Sequence, residues 1–172
     1  MKFTELPTTR KGAVGEAIVI AHLLSKGCMP YRPAINGPHS IDLAVLDPSG
    51  GRMYLIDVKT YARRFKADQT GIDAADYRTY RDLTSQFPQA TVYVLFVDAY
   101  ERCIYGARLL ELEPFATLEG TKVYFPLSRM RPHRELTKTE VERIGVNNPQ
   151  GYRYVAPYFN RRRLGQRTPS DR

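Results

Sequence analysis

An aspartate and a lysine two residues apart interrupt an otherwise apolar segment at residues 53–60, Met-Tyr-Leu-Ile-Asp-Val-Lys-Thr. Its β-branched and aromatic residues predict a β-strand. Side chains alternate across a strand, so Asp57 and Lys59 share one face while Ile56 and Val58 share the other. Charges in a predicted central strand need a reason, because burying an ion without compensation is costly. We therefore consider the pair a candidate for catalysis, with a purely structural ion pair as the alternative.

Two further acids occur upstream of this strand. Asp42 lies near the start of a second predicted strand at residues 41–46, and Glu16 lies in a predicted helix at residues 13–24. Carboxylates that converge from neighbouring strands suit Mg²⁺ or Mn²⁺, which bind through one or two carboxylates plus water and phosphate. A neighbouring lysine can orient and help deprotonate a water and offset charge on a phosphate. These residue types together indicate metal-assisted phosphodiester hydrolysis.

The predicted N-terminal helix carries both an acid and two cations. Thr8-Thr9 is its expected N-cap region and Gly27 its expected end. Helical spacing places Glu16 on a face with Ala13, Ile20 and Leu23, beside the buried stripe. Arg10 and Lys11 then lie in the first turn, either as ordinary surface charge or as an anion site at the helix N-terminus.

The remaining pattern predicts a mixed sheet. Residues 91–97 (Thr-Val-Tyr-Val-Leu-Phe-Val) show no alternation, which is typical of a strand covered on both faces. A helix precedes this strand, which implies a crossover connection and a parallel pairing. Other strands are expected at residues 31–35, 102–107 and 121–127, helices at 72–86, 109–118 and 137–145, and a loop at 69–71. Tyr77 and Tyr80 are assigned to packing, with DNA contact as the alternative, and His22 and His133 are left as structural.

Composition bounds the class of protein. The chain has 172 residues, 42% apolar and 26% charged, with a net charge of +8, which favours polyanion partners. Two cysteines make no disulfide framework and no zinc site, so we expect reduced thiols and a cytoplasmic location. The longest apolar runs are too short to span a bilayer, so no membrane association is expected. Residues 1–146 are expected to form one domain.

Residues 147–172 change character and are expected to form a basic, aromatic-containing C-terminal arm. This segment contains little that could form a core. Its arginines and aromatic residues suit either nucleic acid or a partner subunit. They are Arg153, Arg161, Arg162, Arg163, Arg167 and Arg172 with Tyr152, Tyr154, Tyr158 and Phe159.

Three motifs resemble the PD-(D/E)XK nuclease superfamily, and within it archaeal Holliday-junction resolvases and group I intron-associated endonucleases. They are Arg10-Lys11-Gly12-x-x-Gly15-Glu16, Ser40-Ile41-Asp42 and Ile56-Asp57-Val58-Lys59. The resemblance spans about residues 8–100. It implies an α/β fold with a restriction-endonuclease-like core (αβββαβ), a mixed central sheet flanked by helices, and DNA cleavage with Mg²⁺. By position, Asp42 and Asp57 would bind metal, Lys59 would be the catalytic lysine and Glu16 the helical acid, an additional metal ligand.

The sequence departs from the superfamily pattern at three places. Ile41 replaces the motif proline, and Asp57 replaces the more frequent glutamate. The following helix offers Asp73-x-x-x-Tyr77 where RecB-like relatives have Gln-x-x-x-Tyr, so that subgroup is not assigned.

The predicted function is a metal-dependent DNA endonuclease, with Mg²⁺ as cofactor and Mn²⁺ as a substitute, acting on branched junctions, specific duplex sites or flaps. The alternatives are a catalytically inactive DNA-binding module on the nuclease fold and an RNA-processing nuclease. Cutting two strands with one site per chain favours a homodimer or a higher homo-oligomer. The candidate DNA contacts are Arg10, Lys11, Arg63, Arg64, Lys66, Arg161, Arg162 and Arg163.

Overall fold

The computed structural model describes residues 7–33, 41–60, 64 and 67–145, and within these ranges the chain forms four α-helices and nine β-strands. The helices are α1 (Pro7–Ser25), α2 (Ala74–Gln86), α3 (Leu109–Leu112) and α4 (Lys138–Ile144). The strands are β1 (Met29–Tyr31), β2 (Leu43–Asp47), β3 (Arg52–Lys59), β4 (Gln69–Asp73), β5 (Ala90–Asp98), β6 (Cys103–Arg108), β7 (Thr117–Glu119), β8 (Lys122–Pro126) and β9 (Arg131–Glu135). The predicted C-terminal arm lies outside the described residues.

A mixed sheet with strand order β1-β2-β3-β5-β6-β9 organises the described part of the chain. β1, β2 and β3 form an antiparallel meander, and Ser49 closes the β2–β3 turn by donating to Asp47 Oδ1 from its backbone N–H (3.0 Å) and its hydroxyl (2.6 Å). β3 and β5 are parallel, because α2 carries the chain back across the sheet. The chain order is α1-β1-β2-β3-β4-α2-β5, and because β4 belongs to a second sheet, the remaining elements confirm the predicted αβββαβ core.

Two apolar clusters cover the two faces of this sheet. One lies under α1 and α4 and includes Ile56, Val58 and Leu95. The other lies under α2 and α3 and includes Tyr80, Val94 and other buried residues. β5 is covered on both faces, as its unbroken apolar sequence predicts.

The first helix begins earlier than predicted. Pro7 is its first residue, a position that proline favours because its missing N–H would be unpaired there. Thr8 and Thr9 are therefore inside the helix and not its cap. Arg10 and Lys11 come a full turn after the start, so their backbone N–H groups are not the free donors of a helix N-terminus. Gly27, at a φ of +77°, follows the helix end as predicted.

The loop predicted at residues 69–71 is wrong, because these residues begin β4. β4 pairs with β8, and β8 with β7, in a second sheet against the α2 face of the core. A Cβ at Gly71 would stand 2.6 Å from the backbone oxygen of Val123, so the glycine permits a close strand approach here.

The C-terminal part of the described chain differs from the predicted elements at two places. The helix expected at 109–118 is the short α3, a 3₁₀ turn at Glu113–Phe115 and then β7. The edge strand β9 has a charged sequence without alternation, which does not predict a strand. It is a strand only because it pairs with β6. The capping box of α4 forms as predicted between Thr137 and Glu140. No helix in the described ranges is long and apolar enough to cross a membrane.

Candidate active site

The Asp57–Lys59 pair lies at the C-terminal end of β3, on the sheet face that packs against α2. Nζ of Lys59 donates to Oδ1 of Asp57 at 3.1 Å. Asp57 is 3% exposed, and the Lys59 side chain is 17% exposed. The alternation predicted for this strand therefore holds: the charged side chains face α2, while Ile56 and Val58 face α1.

Asp42 immediately precedes β2 and extends its pairing with β3. Its backbone N–H donates to the carbonyl of Ile56 at 3.0 Å, and its Oδ2 accepts from the backbone N–H of Val58 at 2.7 Å. The second hydrogen bond holds the carboxylate against the backbone of the Asp57 strand. The negative charge of Asp42 raises the pKa of Asp57, which shows that the two acids sense each other.

Burial raises the pKa of Asp57 from its ordinary value to about 7. The neighbouring ammonium of Lys59 opposes this shift, and the carboxylate of Asp42 adds to it. The hydroxyl of Tyr80 comes close enough to lower the same pKa. Oδ2 of Asp57 nevertheless is buried and has no hydrogen bond of normal geometry to a described residue. This carboxylate oxygen is therefore unsatisfied within the described residues.

Lys59 remains positively charged in this environment. Burial alone would lower its pKa, but the carboxylates of Asp57 and Asp76 raise the pKa above its ordinary value. Nζ of Lys59 also lies 3.1 Å from Oδ2 of Asp76 on α2. A lysine so paired is suited to stabilise negative charge and not to accept a proton.

Two site residues, Asp76 and Tyr80, are absent from the sequence-based assignment. They lie four residues apart and hence on one face of α2, the face that contacts β3. That spacing is a usable signal in the sequence, but the superfamily motif aligns with Asp73 and Tyr77 instead. Asp73 forms a surface ion pair with Lys122 (Oδ1 to Nζ, 3.1 Å), and the ring of Tyr77 packs on Phe125.

Glu16 has a cationic partner within the chain, and its expected role as a metal ligand stays a prediction. The buried positions of α1 include Gly15, Ile18 and His22, so Glu16 lies at the edge of the buried stripe and not within it. Its carboxylate forms an ion pair with Arg32. The helix does reach the end of β3, because Gly15 packs directly on Thr60 and a Cβ there would collide with the threonine hydroxyl.

The carboxylates present fit a divalent cation that keeps most of its water. Among the described residues, no group of three or more His, Cys, Asp or Glu is arranged to hold a metal. Mg²⁺ commonly uses only one or two protein carboxylates. Asp57, through its unsatisfied Oδ2, and the neighbouring Asp42 meet that requirement. Binding of the ion by Glu16 as a third ligand stays a prediction.

The candidate DNA contacts are only partly described. Arg10 is exposed and Lys11 half-buried on α1. Arg64 forms a bidentate ion pair with Glu119 (2.7 and 2.5 Å) and stacks on Tyr124, 4.5 Å from the ring centroid. Binding a phosphate would therefore require Arg64 to exchange one anionic partner for another. Outside the described residues lie Arg63, Lys66, Arg161, Arg162 and Arg163.

Comparison with known proteins supports the fold assignment. No protein-family model and no curated protein matches the sequence. The structure is similar to Hjc, a Holliday junction resolvase from Archaeoglobus fulgidus, with a TM-score of 0.51 and 16% identity over 69% of this chain and 90% of that chain. It is also similar to D212, a nuclease from a fusselovirus, with a TM-score of 0.47 and 13% identity over 84% of this chain and 94% of that one. The resolvase likeness confirms the predicted restriction-endonuclease-like α/β fold.

Proposed function

We propose that this chain is a metal-dependent endonuclease that hydrolyses phosphodiester bonds in DNA. One observation carries the proposal: Asp42, Asp57 and Lys59 converge at the ends of neighbouring strands, with an unsatisfied carboxylate oxygen beside a permanent cation. The described fold, similar to that of an archaeal resolvase, supports it.

The chemistry divides among a few side chains. A bound Mg²⁺, or Mn²⁺ in its place, would supply Lewis-acid activation of water and phosphate. Asp57 and Asp42 would hold the ion. Lys59 would offset the charge that develops on the phosphate, because its two carboxylate partners keep it protonated. Asp76 would fix the position of Lys59, and the hydroxyl of Tyr80 would help to keep Asp57 ionised.

The proposed substrate is DNA, because the chain is basic and its fold is similar to that of a resolvase. The chain carries a net charge of +8, which favours a polyanion. The similar Archaeoglobus fulgidus protein is a Holliday junction resolvase, so we include a four-way junction among the proposed substrates, beside a specific duplex site. One site per chain cuts one strand, so we propose a homodimer for paired cleavage.

A cleavage panel tests the proposal. Supercoiled plasmid, linear duplex, flapped DNA, a four-way junction, single-stranded DNA and single-stranded RNA are incubated with Mg²⁺, Mn²⁺ or EDTA. We expect cleavage of DNA with either metal and none in EDTA. Lys59→Ala should remove most cleavage but leave DNA binding nearly intact, because one ammonium is a small share of a basic surface.

Lys122→Ala is the matched control, because Lys122 also forms a 3.1 Å ion pair with an aspartate, at the surface. It should cleave like the unmodified protein. Full cleavage by Lys59→Ala, or cleavage in EDTA, would refute the catalytic assignment. DNA binding without cleavage under any metal would identify an inactive DNA-binding module, and preferred cleavage of RNA would identify an RNA-processing enzyme.

A further inference from the structure

A cleft of about 540 Å³ lies on the sheet face opposite the Asp57–Lys59 pair. Its floor includes Ile56 and Leu95, which point towards α1, while Asp57 points towards α2. The C-terminal end of α1 forms one wall, through His22 and Lys26. The volume is within the ordinary range for small-molecule sites. The proposed nuclease chemistry uses no residue of this cleft.

The charges around the cleft favour an anion. Four cations line it against two acids, Asp47 and Glu111. Both acids already have basic neighbours: Glu111 pairs with Arg108 at 3.8 Å, and Arg52 acts on Asp47. The two other cations, Lys26 and Arg131, make no ion pair with any residue in the described ranges.

The positive field reaches the interior of the cleft. Burial is the largest cause that lowers the pKa of His133 to about 4, and His22, Arg131 and Lys26 contribute to the same shift. Burial likewise lowers the pKa of His22, and Lys26 contributes again. Both imidazoles are therefore neutral at physiological pH, which leaves Lys26 and Arg131 as the charged groups available to an anionic ligand.

Aromatic rings form the other side of the cleft. Tyr54 and Tyr93 meet edge to face, with ring centroids 6.2 Å apart. The Tyr93 hydroxyl lies 2.9 Å from Nε2 of His133, and this hydrogen bond fixes both rings. Aromatic faces of this kind support a planar ring, and base–aromatic stacking does not depend on the identity of the base.

His22 adds a polar side chain to the same end of the cleft. It is 6% exposed, and its ring lies 5.9 Å from that of His133, between centroids. A neutral imidazole has one donor and one acceptor nitrogen, so His22 can offer a hydrogen bond to a ligand in the cleft.

We propose that this cleft binds a nucleotide unit, with its phosphate between Lys26 and Arg131, its base against the Tyr93 and Tyr54 rings, and a polar edge hydrogen-bonded to His22. Neither half of such a ligand uses the whole cleft, since phosphate alone leaves the aromatic side empty and a nucleoside alone leaves the cations unpaired. The unit has two sources, a free mononucleotide or the end of a nucleic-acid strand.

Calorimetric titration of the full-length protein with deoxyadenosine monophosphate in EDTA tests the proposal away from the metal-dependent site. We expect this nucleotide to bind at least about tenfold more tightly than inorganic phosphate or deoxyadenosine. Arg131→Gln and Lys26→Gln should each weaken binding by roughly threefold to tenfold, the effect of one charge-assisted hydrogen bond. Arg78→Gln is the control, because Arg78 is an exposed arginine on α2, across the sheet. This change should leave nucleotide binding unaltered.

His22→Phe tests the proposed contact of the imidazole with the ligand, because a phenyl ring fills its space without the polar nitrogens. It should weaken nucleotide binding with no loss of melting temperature. A 5′-phosphorylated oligonucleotide that displaces the mononucleotide would identify the strand end as the source, and failure to displace it would identify the free nucleotide. Absence of nucleotide binding, equal binding of inorganic phosphate, or unchanged affinity in both Arg131→Gln and Lys26→Gln would overturn the proposal.

Discussion

Oδ1 of Asp57 and Nζ of Lys59 lie 3.1 Å apart on a strand whose opposite face belongs to the apolar core. Each member of this pair has a further carboxylate nearby. Lys59 has a second partner in Asp76, and Asp42 acts on Asp57. Burial raises the pKa of Asp57 to about 7, and the carboxylate of Asp42 adds to that shift. A divalent cation beside Asp57 would favour its ionised form.

We expect Asp57 to destabilise the metal-free protein at alkaline pH. Because its folded pKa of about 7 exceeds its ordinary value of 3.8, the folded state holds a proton that the unfolded state has released between these values. The contribution of Asp57 to the free energy of unfolding therefore falls as pH rises from about 4 to about 7, by at most about 4 kcal/mol. Asp57→Asn should be more stable than the unmodified protein at pH ~8 in EDTA.

Urea unfolding of both proteins at several pH values measures the difference between their free energies of unfolding. The histidines titrate in both proteins, so this difference reports on Asp57. Mg²⁺ should stabilise the unmodified protein at the alkaline end and leave Asp57→Asn unaffected. A pH-independent difference between the two proteins would contradict the raised pKa.

Tyr80→Phe should impair metal use without disturbing the core. Its hydroxyl lowers the pKa of Asp57, so its loss leaves that carboxylate harder to ionise. Cleavage should shift to higher pH, and the metal concentration for half-maximal rate should rise roughly twofold to tenfold, the value of one hydrogen bond. Tyr77→Phe, one turn earlier on α2, is the control and should behave like the unmodified protein. Identical metal titrations for all three proteins would remove Tyr80 from the site.

Glu16→Gln separates a role in metal binding from a role in the Arg32 ion pair. If Glu16 acts through a water in the outer shell of the metal, metal affinity should fall roughly tenfold, less than the loss in Asp57→Asn. Arg32→Gln breaks the same ion pair from the other side. Equal metal affinities for Glu16→Gln and Arg32→Gln, measured by calorimetry, would leave Glu16 with no role beyond that pair.

Gly15→Ala should destabilise the protein by about 1–3 kcal/mol, because the new methyl group would overlap the side chain of Thr60. Gly12→Ala is a matched control in the same helix. A Cβ there meets nothing within 4 Å, so the change should stabilise by about 0.5–1 kcal/mol through helix propensity. Denaturant unfolding measures both, and Gly15→Ala combined with Thr60→Ala should recover part of the loss. Equal effects at the two glycines would exclude the close contact of α1 with β3.

The predicted C-terminal arm is testable through salt dependence. If its six arginines bind phosphates, truncation after Gly145 should lower DNA affinity and flatten the plot of log K against log salt by ~3–5 units. Cleavage at low salt should survive. A full-length variant with these arginines changed to glutamine is the control, because it removes the charges without removing the segment. If the arm binds a partner subunit instead, truncation should break the oligomer or lower the melting temperature while the slope stays the same.

The sequence by itself determined the elements that depend on neighbouring residues. The alternation of β3 places Asp57 and Lys59 on one face, and the structure has them there. The capping box of Thr137 and Glu140 and the end of α1 before Gly27 were likewise predictable, whereas the αβββαβ order came from the family resemblance. In the first two cases and in β3 the signal is local, a spacing of two or three residues or a single glycine, which backbone geometry converts directly into position.

Only the tertiary structure decided which groups meet across elements. Lys59 and Asp76 are 17 residues apart, and their contact exists because the α2 crossover lies over β3. Gly71 signals a turn in sequence, yet it permits β8 to approach β4. His22 and His133 meet only because β9 joins the sheet edge beside β6, and no periodicity predicts β9. Such contacts depend on packing between distant segments, and local propensity carries no information about which segments will become neighbours.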